Sequence, residues 1–163
     1  KSEPVAGQFQ VVIKELKDAP IGFEIWPASR VLLSWLTSSA SAPSLKGLTL
    51  LELGAGCGAL AMGLVSYAGA GKVYASEGDP DVLENLRENV ALNGQGSTVV
   101  PCLWDWEETQ THPAEVDLGA VDMIVAADVV YVGTAECQLS HALAGALRPA
   151  AEGAKGRQAW MLL

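Results

Sequence analysis

The sequence predicts an α/β fold built on a doubly wound, mostly parallel sheet, and three observations predict it. From residue 48 onward, apolar runs of strand length alternate with amphipathic runs of helix length. A glycine-rich turn, "LELGAGCG" at 51–58, closes the first of those strands. The strand-like runs then end in chemically unusual residues, as strands at a functional rim do. A chain of 163 residues, half of them hydrophobic, can bury one core. A single domain over 1–163 is therefore expected, with 1–22 as a strand or hairpin extension and 23–163 as the core.

Residues 9–16, "FQVVIKEL", alternate weakly and read as a strand, one arm of a hairpin. Residues 26–36 read as a helix: Pro27 suits its first position, and Val31, Leu32, Trp35 and Leu36 share a face. The stretch 38–47 is a loop. "LTLLEL" at 48–53 is a buried strand, and the helix after the glycine turn ends near Gly69. "KVYASE" at 72–77 is the second strand. Residues 79–94 are punctuated as a helix, with Asp79 as N-cap, Pro80 in the first turn and Gly94 as terminator. Val82, Leu83, Leu86 and Val90 form its apolar stripe. "TVVPCL" at 98–103 is a third strand, and 121–131 contains a fourth. Residues 134–147 read as a helix with Leu139, Ala142, Leu143 and Ala146 inward, and 157–163 begin a fifth strand. Strands alternating with helices give right-handed crossovers, so ligands should bind beyond the carboxyl ends of the strands.

Net charge −9 argues against nucleic acid, whose phosphates need patches of Lys and Arg, and favours a cationic ligand or a basic partner. No apolar run reaches the roughly 18 residues that span a bilayer, and residues 1–10 hold no signal-peptide core. Cys57, Cys102 and Cys137 show no zinc or redox spacing, so reduced, buried thiols in a cytoplasmic or nuclear protein are expected, with no metal site. His112 and His141 have no partner readable in the sequence.

Gly54, Gly56 and Gly58 allow a sharp turn and close approach of a ligand to the backbone. Gly54, Gly56 and Ala59 satisfy the dinucleotide pattern G-x-G-x-x-G/A. Glu52 with the three alternating glycines satisfies the S-adenosylmethionine pattern at more positions, so that cofactor is favoured; a structural turn is the bland alternative. Glu77, at the end of the second strand, can accept from both hydroxyls of a ribose in either cofactor, or be a solvated acid. Asp79 fits the helix cap better than a ribose ligand. Asp105 and Trp106 leave the third strand where an adenine would lie, with Trp106 able to stack and Asp105 able to accept from the amino group, whereas Trp104 can turn into packing.

Taken together, Trp26-Pro27, Glu52 to Gly58, Asp105-Trp106 and the D-x-x-Y of Asp128 to Tyr131 resemble methyltransferase family 16, the seven-β-strand protein-lysine methyltransferases. The likeness runs from about Phe23 to the end. It implies a Rossmann-like class I methyltransferase that transfers a methyl group from S-adenosylmethionine to a lysine of a non-histone protein. It implies that Glu52, Gly54, Gly56 and Gly58 surround the donor's amino-acid part and that Glu77 binds its ribose. Trp106 and Asp105 would contact adenine, Trp26 would pack beside the donor near the substrate entrance, and Asp128 and Tyr131 would line the acceptor site. Glu77 departs from the commoner Asp of that position. The family's seven strands also imply that 23–163 lacks the last ones. A small-molecule methyltransferase and a non-catalytic interaction domain are the alternatives. The partner expected is a protein substrate met by a monomer, with no nucleic acid and no membrane.

Overall fold

A computed structural model describes residues 10–16, 18–106, 112–130, 139–140, 143–144 and 158–162. Five strands form one parallel sheet: β1 (Thr49–Leu53), β2 (Lys72–Glu77), β3 (Val99–Leu103), β4 (Met123–Ala127) and β5 (Gln158–Leu162). Their order is β3-β2-β1-β4-β5. The chain thus winds outward from β1 in one direction, returns, and winds outward in the other. The reversal lies between β1 and β4, where Leu50 pairs with Met123 and Leu53 with Ala126. Crossovers leave a crevice at such a reversal, above the carboxyl ends of the strands.

Three helices are described: α1 (Pro27–Ser38), α2 (Ala59–Ala68) and α3 (Pro80–Leu92). Alternation in β1 divides the core. Leu50 faces the helices together with Val73, Val99 and Val125, packing on Leu32 and Leu36 of α1, Leu60 and Leu64 of α2, and Leu83 and Leu86 of α3. Leu51 and Leu53 face the other side with Tyr74, Cys102, Trp104 and Ile124, covered by Val116, Val121 and Leu139. The α3 stripe, Val82, Leu83, Leu86 and Val90, is wholly buried. In α1 the apolar face is narrower than its sequence suggests: Leu32 and Leu36 are buried, but Val31 is 56% exposed. Helices α1 and α2 approach so closely that a Cβ on Gly63 would lie 2.4 Å from Leu33 Cδ2.

Two helix boundaries follow the sequence punctuation. Asp79 Oδ1 accepts from Asp81 N and Val82 N and so caps α3. Gly69 ends α2 at φ +73°, where its N–H donates to Leu64 O. Residues 139–140 and 143–144 are helical; the rest of the 134–147 stretch lies outside the described residues.

Residues 10–16 correct the sequence reading. Residues 10–14 alternate in burial, as a strand does, but 10–16 join no β-ladder among the described residues. Val11 N donates to Tyr67 Oη of α2 at 3.2 Å, and the backbones of Val12 and Lys14 bond to asparagine side chains of α3 and its C-cap. Asn93 Oδ1 accepts from Val12 N at 2.8 Å, and Asn89 Oδ1 accepts from Lys14 N at 2.7 Å. Val11 and Ile13 point inward onto the helical side of the core.

Candidate functional site

The crevice above β1 and β4 holds a cleft of about 740 Å³, within the roughly 300–1,000 Å³ usual for small-molecule sites. Four strand ends and the N-terminal segment line it. The loop after β1 contributes Gly54, Ala55, Gly56 and Cys57; β2 ends in Glu77, β3 leads into Trp104, Asp105 and Trp106, and β4 into Asp128 and Val129. Ile21, Glu24 and Trp26 close the side facing α1. Of the residues expected at a site, Trp26, Gly54, Gly56, Glu77, Asp105, Trp106 and Asp128 share this one cleft. Tyr131 lies outside the described residues, as do Cys137 and His141.

The glycine loop is where those strand ends converge. Gly54 has φ +64°, and a Cβ there would stand 2.8 Å from Val129 Cγ1 and 3.4 Å from Trp106 Cη2. The loop is therefore pressed between the exits of β3 and β4, and only glycine fits. Gly56, at φ +55°, would place a Cβ 3.1 Å from Gly22 O, so the N-terminal segment also touches the loop.

Glu77 braces this arrangement. Its Oε2 accepts from Gly56 N at 2.8 Å, and its Oε1 accepts from Gly78 N and Asp79 N. Burial raises its pKa, and the hydrogen bonds from Gly56, Asp79 and Gly78 pull it back down. A carboxylate has about four acceptor positions and three are taken, so Glu77 can receive one further hydroxyl without rearranging. The two-hydroxyl grip expected from the sequence needs one backbone bond to give way.

Glu52 and Gly58 do not line the cleft. Glu52 follows Leu50 by two residues, so β1 turns both toward the helices. Its carboxyl, 2% exposed, accepts from Ala61 N in the first turn of α2 and leaves Oε2 without a partner among the described residues. Burial lifts its pKa from 4.5 to about 8; the Ala61 bond opposes the shift and the negative Glu77 adds to it. Gly58, at φ +85°, packs against α3: a Cβ would meet Leu86 Cδ1 at 2.3 Å. Both residues hold the loop from beneath.

Trp104 is 2% exposed and belongs to the core, with one edge on the cleft and an indole N–H that has no partner among the described residues. Trp106 is partly buried and lies over Gly54. Trp26 is 45% exposed at the N-terminus of α1, an apolar surface beside the opening. Asp128 has φ +57°, in a left-handed region that few residues other than glycine adopt, and this turn lies in the cleft lining with Val129. Among the described residues, the lining contains five carboxylates, Glu24, Glu77, Asp79, Asp105 and Asp128, and no lysine, arginine or histidine. Such a lining suits a cationic ligand and repels phosphate. Cys57 and Cys102 are buried free thiols, their pKa values raised by burial to about 11 and about 12.

Three contributors were not anticipated: the turn at Pro20–Gly22, Glu24, and the asparagines of α3. The asparagines carry one legible signal, their spacing at 85, 89 and 93 on a single helix face.

Comparison with known proteins agrees with this geometry. The protein-lysine N-methyltransferase EFM3 of Chaetomium thermophilum is 30% identical over 115 residues, covering 68% of this chain and 34% of that protein. The mouse protein-lysine N-methyltransferase EEF2KMT is 29% identical over 121 residues, covering 68% and 35%. The chain thus spans about a third of the length of these relatives. The crystal structure of Pyrococcus horikoshii TYW2 in complex with MeSAdo superposes with a TM-score of 0.52 at 25% identity, covering 74% of this chain and 40% of that one. A family model described as lysine methyltransferase matches residues 7–151, and the chain belongs to that family.

Proposed function

We propose that the chain is the donor-binding core of an S-adenosylmethionine-dependent methyltransferase that methylates a lysine side chain of a non-histone protein. One observation carries the reading: the glycine loop, Glu77, Asp105-Trp106 and Asp128 converge on one anionic cleft at the sheet reversal. Family membership and the lysine methyltransferases among the relatives support the reaction class. The names of solved relatives bound to MeSAdo and AdoMet support the cofactor.

The residues fit the group. Gly54 and Gly56 present bare backbone to the cleft, the N-terminus of α2 is a favourable place for the donor's carboxylate, and the five acidic side chains complement a sulfonium. When bound, the sulfonium supplies an activated methyl group. In this reading Glu77 accepts from a ribose hydroxyl, Trp106 offers a stacking face to adenine, and Asp105 offers an acceptor to its amino group. Trp26 marks the entrance. A lysine arrives as an ammonium, with a free pKa of about 10.4. Asp128 orients that ammonium, and exclusion of water lowers its pKa toward release of the proton. Asp128 also opposes deprotonation by its charge, so it acts as a positioner rather than a base. Tyr131 is proposed to wall the lysine channel.

Calorimetry with S-adenosylhomocysteine tests the cofactor; absence of binding by an intact, longer chain overturns it. Tritiated methyl transfer into cell extract, with peptide mapping, tests the acceptor. Label confined to a metabolite identifies a small-molecule enzyme, and Asp128→Asn should remove at least 90% of the protein label. No label from any extract, with partner binding intact, identifies a non-catalytic domain. We further propose a monomer in the cytoplasm and also the nucleus, checked by sedimentation and by cell fractionation.

A further inference from the structure

Helix α3 carries asparagines at 85 and 89 and is C-capped by Asn93, the three spaced four residues apart along one face. Asparagine is a poor helix former, so the two inside α3 weaken the helix they sit on. They are spent on the N-terminal segment. Asn93 accepts from Val12 N and donates to Val12 O at 2.7 Å. Asn89 accepts from Lys14 N and donates to Lys14 O at 3.3 Å; Asn85 donates to the same carbonyl at 3.2 Å. Asn93 and Asn89 thus each offer one acceptor and one donor, as a neighbouring strand's peptide group would, while Asn85 adds a donor alone. The dimensions agree. Four helical residues rise about 6 Å, and two extended residues advance about 6.6 Å. Val12 and Lys14, alternate residues of the segment, therefore meet Asn93 and Asn89, while Val11 and Ile13 face the core.

Asn89 is fully buried and makes one bond more. Its Nδ2 also donates to Cys57 O, in the glycine loop, at 3.0 Å. A single side chain therefore joins the N-terminal segment to the loop. The segment reaches the loop a second time through its own continuation. Leu16 N donates to Phe23 O, Ile25 N donates to Glu15 Oε1, and the turn so formed sets Gly22 O against Gly56. Ile21, Glu24 and Trp26 of that turn form the cleft wall facing α1.

We propose that the asparagines of α3 and its C-cap latch residues 10–16 and 18–26 as a strap over the donor cleft, and that Asn89 is a positioning residue coupling the seating of the strap to the shape of the glycine loop. The proposal rests on the reading of the cleft as an S-adenosylmethionine site. Two elements joined through a shared amide and a shared wall bias each other, so a ligand in the cleft tightens the strap and a loosened strap weakens the ligand.

The test uses the whole chain, S-adenosylhomocysteine as probe, and amide hydrogen exchange at Val12 and Lys14. In the wild type, saturating ligand should slow exchange at both amides about tenfold or more. Asn89→Asp keeps the shape and the acceptor but replaces the donor with an oxygen facing two carbonyls. It should weaken S-adenosylhomocysteine about tenfold and abolish the ligand-dependent protection. Val12→Pro deletes one strap donor far from the loop and leaves the sheet untouched. It should weaken the ligand several-fold, which a purely structural role for the strap would not do. Ligand affinity within twofold of wild type in both variants, or strap exchange that is indifferent to ligand, overturns the coupling. If the wild type binds no S-adenosylhomocysteine, the cofactor reading fails, and unprotected Val12 and Lys14 amides would overturn the latch separately.

Discussion

Glu52 shows how much one buried carboxyl can ask of its surroundings. Its folded pKa of about 8 lies above the ordinary 4.5, because burial favours the protonated form. Between those values the folded protein holds a proton that the unfolded chain has released. Stability therefore falls as pH rises from about 4.5 to about 8, by up to about 1.4 kcal/mol per pH unit. Glu52→Gln cannot ionise. It should melt with the wild type near pH 4.5 and progressively above it toward pH 8; parallel curves would remove the neutral carboxyl from the account. Gly56 carries the opposite kind of constraint. A side chain there meets both a left-handed backbone angle and the Gly22 carbonyl at 3.1 Å. The angle alone costs about 1–2 kcal/mol. Gly56→Ala should lower stability by at least that amount and weaken S-adenosylhomocysteine tenfold or more in calorimetry.

At the scale of elements, α3 serves three neighbours: its apolar stripe fills the core, Leu86 backs the glycine loop at Gly58, and its asparagines hold the N-terminal strap. Its start depends on Asp79, which satisfies two N–H groups of the first turn. Asp79→Ala should cost about 1 kcal/mol, or roughly 2–4 °C in melting temperature for a chain of this size. Asp79→Ser should restore much of the loss, since a hydroxyl also caps. Failure of that rescue would mean that Asp79 matters chiefly as one of the cleft's carboxylates. β1 has a similar double duty, sending Leu51 and Leu53 to one face, and Leu50 with Glu52 to the other.

For the whole molecule, the decisive feature is the sheet order, because it places the loops after β1 and β4 side by side. A ligand that binds only the folded state stabilises it by about 2.7 kcal/mol at a hundred times its dissociation constant. S-adenosylhomocysteine should therefore raise the melting temperature by several degrees, whereas NAD, whose phosphates meet the five carboxylates, should leave it unmoved; the reverse result would return the glycine loop to the dinucleotide class. The alternation of elements, the caps at Asp79 and Gly69, and the glycine loop with its following acid were readable in the sequence, because each is encoded within a few residues by periodicity or turn chemistry. The destinations of Glu52 and of residues 10–16 were not. A period-two pattern says that Glu52 shares a face with Leu50, but which face lies beneath α2 depends on how distant helices pack. Likewise, alternation marks 10–16 as extended without naming a partner, and that partner is a row of asparagines 71 to 81 residues away. The sequence by itself determined the elements and the chemistry at the strand ends; only the tertiary structure decided which side chains face the cleft and which support it, because those choices are made by contacts far apart along the chain.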